Sequence, residues 1–152
     1  MVLGKMGLYF DTCSWNRPYD DQRQAKIRAE STAVKNVIAL AQWNGYAIFG
    51  SKMLDKEIGN IRAPQKYALV WKFYQNTITE RVTAKKAIFD RFAPLALQAG
   101  ISRSDAVHLC YSISAGANYL LTTDDDFIDI AAGLAIPTKV INPLNFPLGG
   151  II

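Results

Sequence analysis

A chain of 152 residues is the length of one domain and buries about two-thirds of the surface its unfolded form exposes, so no disulfide is needed to hold it together. Half of its residues are apolar, yet no apolar run approaches the ~20 residues that span a bilayer, and the Met1 to Gly7 stretch leads into none of signal-peptide length. The expectation is a soluble, cytoplasmic protein with no membrane association. Two cysteines and one histidine exclude a disulfide framework and a multi-histidine zinc site, and a formal charge of +4 with pI near 9.1 leans towards polyanionic partners.

Leu8-Tyr9-Phe10 is a short apolar run stopped by Asp11 and Thr12, which reads as a first strand ending in a carboxylate. Cys13 to Asp21, with Asn16, Pro18 and two aspartates, is expected as an irregular loop over that strand's end. From Gln24 to Asn44 apolar residues recur at Ile27, Val34, Val37, Ile38 and Ala41, and Gly45 follows where a helix ends, so this is a long amphipathic helix. Tyr46 to Phe49 predicts a second strand, and Ser51 caps a short helix carrying Met53, Leu54, Glu57 and Ile58. Tyr67, Val70, Trp71 and Tyr74 mark another helix, and the β-branched Thr77 to Thr83 segment reads as a third strand. Lys85 to Gln98 is helical by pattern, with Pro94 expected to kink or divide it.

Ser102 to Asp105 opens a further helix through Ala106, Leu109, Cys110, Ile113 and Ala117, broken by Gly116 and Asn118. Tyr119-Leu120-Leu121 then forms a short buried strand that runs straight into Thr122-Thr123-Asp124-Asp125-Asp126. Asp124 to Leu134 is expected as a last short helix, and Lys139-Val140-Ile141 as a final strand before the tail from Pro143. Strands alternating with helices imply an α/β fold with a central parallel sheet covered on both faces.

Two strands, ending at Phe10 and Leu121, each release a carboxylate at one edge if they run parallel, and two helices bring Glu57 and Asp105 towards it. Taken singly, each carboxylate has a structural explanation: Asp105 and Asp124 to Asp126 offset helix dipoles, and Glu57 is a solvated helix charge. Taken together they would repel one another unless a cation intervened. Oxygen ligands without a cysteine or histidine cluster select Mg²⁺ or Mn²⁺, whose chemistry on phosphodiesters is hydrolysis, so the pattern points to a metal-dependent nuclease.

The same residues carry a family resemblance. Tyr9-Phe10-Asp11-Thr12, Ser51 with Glu57 and Ile58, Asp105-Ala106-Val107-His108, and Leu121-Thr122-Thr123-Asp124-Asp125-Asp126-Phe127 together resemble a PIN-domain protein of the kind that includes VapC-type toxins, from Leu8 to about Ile141. The resemblance implies a three-layer α/β/α sandwich over a single domain, residues 1–152, and often a homodimer. It implies a metal-dependent endoribonuclease acting on RNA, in some members the toxin paired with an antitoxin protein. By it Asp11, Glu57, Asp105 and Asp124 take the positions of the acidic quartet that binds Mg²⁺ or Mn²⁺. Thr122 is a polar neighbour, and Asp126 a further ligand or supporting group. The Cys13 to Asp21 loop and the aromatic region from Gln65 to Arg91 depart from the usual toxin pattern.

His108 one turn after Asp105 either orients it through a hydrogen bond or is a satisfied histidine at the helix border; the second reading is preferred, with no catalytic role, and Cys13 has no histidine to activate it as a nucleophile. Trp15 either stacks on a base or covers the core, and Arg17, Lys52, Lys56, Arg62 and Arg103 either hold phosphates or form a solvated basic face. Two other functions compete. An aspartyl-phosphate phosphatase would use Asp11 as nucleophile, but the DxD pattern such enzymes resemble has Cys13 in its place. A non-catalytic PIN-like module binding RNA or a protein partner would leave the carboxylates without chemical work.

Overall fold

The computed structural model describes residues 5–148; the outermost four residues at each end, including the start of the Met1 to Gly7 stretch, lie outside the described residues. Five strands form one parallel sheet in the order β3-β2-β1-β4-β5. They are β1 (Gly7–Phe10), β2 (Ala47–Gly50), β3 (Glu80–Arg81), β4 (Tyr119–Leu121) and β5 (Lys139–Ile141). Helices join them, giving the expected three-layer α/β/α architecture. Among the described residues no helix is long and apolar enough to cross a membrane.

β1 is buried at every position and sits in the middle of the sheet. Its partners lie to either side: the chain winds outward through β2 and β3, then returns to place β4 and β5 on β1's other flank. The reversal between β1 and β4 is the topological switch point, where the crevice outside the carboxyl ends of parallel strands opens for a ligand. Register makes the coincidence concrete. Phe10 pairs with Leu121, so Asp11 and Thr122 leave neighbouring strands side by side, and Asp11 N donates to Leu121 O at 3.1 Å.

Cys13 to Asp21 is not irregular. Thr12–Asn16 forms a helix, α1, and Arg17–Tyr19 continues as a turn of 3-10 helix with Pro18 near its start. The reason is Asp11, which caps α1 by accepting from Ser14 N, while Ser14 Oγ donates to Leu121 O and Trp15 Nε1 to Phe10 O. Those bonds tie the turn to the sheet. Trp15 is fully buried, edge-on to Phe73 and Tyr74 and tilted against Phe10, so it belongs to the core and offers no face to a base.

The long helix α2 runs from Ala25 to Asn44 and stops at Gly45, whose φ of 67° needs no Cβ. Next come α3 (Lys52–Gly59), capped by Ser51 as expected, and α4 (Pro64–Thr77). The expected third strand shrinks to two exposed residues, because only Phe49 and Gly50 of β2 are available to pair with it. Helix α5 (Lys86–Gln98) passes through Pro94 undivided. Then α6 (Arg103–Ser114) starts at the Ser102 cap, and α7 (Asp125–Ala131) is capped by Asp124 and ends short of Leu134.

Candidate functional site

All four quartet carboxylates line one open cleft of about 450 Å³ at the carboxyl end of β1 and β4. Asp11 leaves β1, Glu57 comes from α3, Asp105 from the first turn of α6, and Asp124 from the β4–α7 junction. Thr12, Cys13, Asn16, Arg17, Ser104, His108 and Thr123 complete the wall. Asp126 does not line this cleft; it lies in a smaller adjoining hollow that Asp105 and Asp124 also border.

Local structure aims each group. Asp11 is 3 % exposed, and its Oδ1 accepts from Ser14 N at 3.1 Å and from the Cys13 thiol at 3.0 Å. Thr122, fully buried, accepts from Asp124 N at 3.1 Å, while Asp124 Oδ1 accepts from Phe127 N at 3.2 Å. Thr122 thus sets the turn that presents Asp124, and both aspartates serve as helix caps while bordering the cleft. The structural and functional readings of these residues are compatible.

The charges respond as crowded carboxylates should. Burial raises the Asp11 carboxyl above its usual range, against the neighbouring His108 and the hydrogen bonds from Cys13, Thr122 and Ser14. Burial, then the charges of Asp11 and Asp124, lift Asp105 to about 6. Glu57 goes the other way: burial pushes it up, but hydrogen bonds from His108, Ser104 and Thr12 outweigh that and hold it at about 2. Burial beside Asp11 raises the Cys13 thiol far above its normal range, so it stays protonated and is no nucleophile.

Donor chemistry and charge fit a hard divalent cation, since three aspartates with oxygen donors face one cleft and two of them hold protons too tightly for want of a counter-charge. Convergence is looser. Among the described residues no group of three or more His, Cys, Asp or Glu side chains forms a metal-holding cluster, so the carboxylates border a common space without closing on one point.

Of the basic residues singled out in the sequence, the cleft wall includes only Arg17, and its guanidinium is already committed. It donates to Asp20 at 3.0 Å and to Thr123 Oγ1 at 2.8 Å. Its Nε lies 3.2 Å from Glu30 Oε1, close enough for an ion pair but too poorly aligned for a hydrogen bond. Lys52, Lys56, Arg62 and Arg103 are exposed outside the cleft.

Sequence reasoning passed over Glu30, which has no exposed surface and also accepts from Asn142 Nδ2 at 2.6 Å. The signal was present, because Glu30 lies in the same helical stripe as Ile27, Val34 and Val37, where a charge survives only if paired. Ser104 and His108 were also missed as site residues. Their spacing from Asp105 on one helix was legible, but their partner Glu57 is on another helix, and no spacing reveals that.

No family model matches the chain, and no curated protein does. Among solved structures it is similar to a chain in the crystal structure of VapBC2 from Rickettsia felis bound to a DNA fragment from their promoter. The TM-score is 0.64 at 14 % identity, over 90 % of this chain and 98 % of that one. The likeness is one of fold: the chain adopts a VapC-like PIN fold.

Proposed function

We propose that the protein is a metal-dependent endoribonuclease of PIN type, working as a single cytoplasmic domain, residues 1–152. The observation that carries this reading is the meeting of Asp11, Asp105 and Asp124, from three separate parts of the chain, at the switch point of a VapC-like sheet. Asp11, Asp105 and Asp124 would hold Mg²⁺ or Mn²⁺, with Glu57 binding the ion or positioning the attacking water and Asp126 reaching in from the adjoining hollow. A divalent ion supplies an activated water and stabilises the leaving oxygen of a phosphodiester.

The chain's own residues do the rest. Thr122 and the Phe127 amide hold Asp124 in place, and Ser14 and Cys13 fix Asp11. Arg17, anchored by Asp20 and the buried Glu30, steadies the Thr123 turn beside Asp124. The positive net charge favours approach of RNA to a cleft that the ion would make less negative. The fold it shares with a chain of VapBC2 supports a role as the toxin of a toxin–antitoxin pair, with an antitoxin protein as partner; a homodimer is the working state that the sequence resemblance implies.

The test is incubation of parent, Asp11→Asn and Asp124→Asn proteins with labelled RNA in Mn²⁺, Mg²⁺ and EDTA. Cleavage by the parent alone, abolished by EDTA, is the expected result. Parental activity in either variant would remove that aspartate from the site, and no cleavage by any protein, with no stabilisation by Mn²⁺, would favour a non-catalytic module.

A further inference from the structure

Glu57 is the one quartet member whose acceptor sites are nearly full. A carboxylate offers about four lone-pair sites. Its Oε1 accepts from Thr12 Oγ1 and from His108 Nε2, the latter at 2.5 Å, and its Oε2 accepts from Ser104 Oγ at 2.6 Å. Three donors leave one site, on Oε2. By contrast, Asp11 Oδ1 accepts from Cys13 and Ser14 N, and Asp124 Oδ1 from Phe127 N.

His108 is itself held from behind. The imidazole is 2 % exposed, and its Nδ1 lies 2.7 Å from the Tyr9 hydroxyl, which lies 2.9 Å from Ser51 Oγ. Donors and acceptors balance along this line. With the imidazole neutral and protonated at Nε2, Ser51 donates to Tyr9, Tyr9 to Nδ1, and Nε2–H to Glu57, while Ser51 Oγ accepts from Leu54 N at 3.1 Å and so caps α3, the helix that carries Glu57. Both ends of the chain of bonds therefore bear on the same helix: one through its cap, the other through its carboxylate. Tyr9 in the central strand is the fixed point between them.

We infer that His108 is a positioning residue, anchored through Tyr9, which holds Glu57 by Oε1 so that only Oε2 is left to face the metal ion or its water. The inference rests on the metal-dependent reading above and says which oxygen of Glu57 is left to serve it. For Glu57 to bind the ion through Oε1 it would have to give up the partly buried Thr12 and the buried His108, leaving Nε2 only the 3.5 Å contact to Thr12 Oγ1. Asp105 is held less fully: Ser102 is the one side chain whose hydrogen bond lowers its carboxyl, against three on Glu57.

The chain has one histidine, so its ring signals in an NMR spectrum belong to His108 without ambiguity. The measurement is the ring N–H proton of isotope-labelled protein in EDTA and at saturating Mg²⁺, alongside the backbone amides of the cleft. The expected result is a downfield, slowly exchanging Nε2–H resonance in both conditions, lost in Glu57→Ala and weakened in Tyr9→Phe. Disappearance of that resonance on Mg²⁺ addition, while the amides around Asp11 and Asp124 shift, would mean that Oε1 has been given up to the ion and would overturn the inference alone. Cleft amides that ignore Mg²⁺ altogether would overturn the metal-dependent reading, and the role of Glu57 with it.

Cleavage supplies the second readout. Removing a residue that orients a group near the ion should lower the rate about 10- to 100-fold, so His108→Phe should fall by that much while His108→Gln, which restores an N–H donor, recovers part of it. Adding His108→Phe to Glu57→Gln should cost nothing further, because the two act through one bond. Parental cleavage by His108→Phe, or full additivity in the double variant, would strip His108 of the role.

Discussion

Replacing Asp105 by asparagine in the metal-free protein is expected to raise its stability at neutral pH. Burial and the charges of Asp11 and Asp124 lift the Asp105 carboxyl from 3.8 to about 6. Between those values the folded chain holds a proton that the unfolded chain has released. Stability therefore falls as pH rises through that window and stays lower above it, and asparagine escapes the loss. At about 1.4 kcal/mol per pKa unit the upper bound is about 3 kcal/mol. Solvent screening of this half-buried group cuts that to about 1.5 kcal/mol, and the lost attraction to the α6 dipole takes about 0.5 kcal/mol more, leaving about 1 kcal/mol. In a domain of this size that is about 2–4 °C of Tm. Melts of parent and variant in EDTA should differ by this amount at about pH 7.5 and converge near pH 3.5. Manganese should reverse the order: at about 100 times its Kd it adds about 2.7 kcal/mol to a protein that binds it, and the variant should forgo most of that. An Asp105→Asn protein less stable than its parent at neutral pH in EDTA, or a gap unchanged across the acid range, would refute the reasoning.

Three further outcomes follow from the packing. Trp15→Ala empties a fully buried site between Phe10, Phe73 and Tyr74 and should cost about 3–5 kcal/mol in urea unfolding; a loss below about 1 kcal/mol would mean that the α1 turn does not depend on it. Arg17→Met leaves the buried Glu30 with only Asn142 and a lysine 4.0 Å away, so unfolding should become easier by about 3 kcal/mol. Adding Glu30→Gln to it should recover part of that loss, and failure to do so would show that Arg17 is not there to neutralise Glu30. Gly45→Ala meets no atom but must adopt φ of 67°, so its cost, about 1 kcal/mol, should be purely conformational and appear in chemical denaturation without any change in metal response.

Much of the fold was legible because its signals are local. The apolar stripe of α2, the caps at Ser51 and Ser102, and the runs Tyr119–Leu121 and Lys139–Ile141 each depend on a few neighbours in the chain, and each element stands where those neighbours put it. The carboxylates at Asp11 and Asp124 were legible for the same reason: each follows an apolar run that had to be a strand, and parallel strands put their ends together. Where local and long-range forces compete the sequence misleads. Cys13 to Asp21 has loop composition, yet Ser14 and Trp15 bond back to the sheet and make it helical, and the β-branched run around Glu80 finds almost no strand to pair with.

Residue types and spacings determined by themselves that this chain is α/β and that its acidic groups gather at strand ends, with no cysteine or histidine cluster in the chain to accompany them. Tertiary structure alone decided how those carboxylates differ. Asp11 and Asp105 are left with too little compensation and are pushed towards protonation, while Glu57 is clamped by donors from α1 and α6 and driven to stay ionised. The cause is distance across the fold: Thr12, Ser104 and His108 lie 45, 47 and 51 residues from Glu57, so only the closing of the sheet and its helices brings their hydrogens to its oxygens.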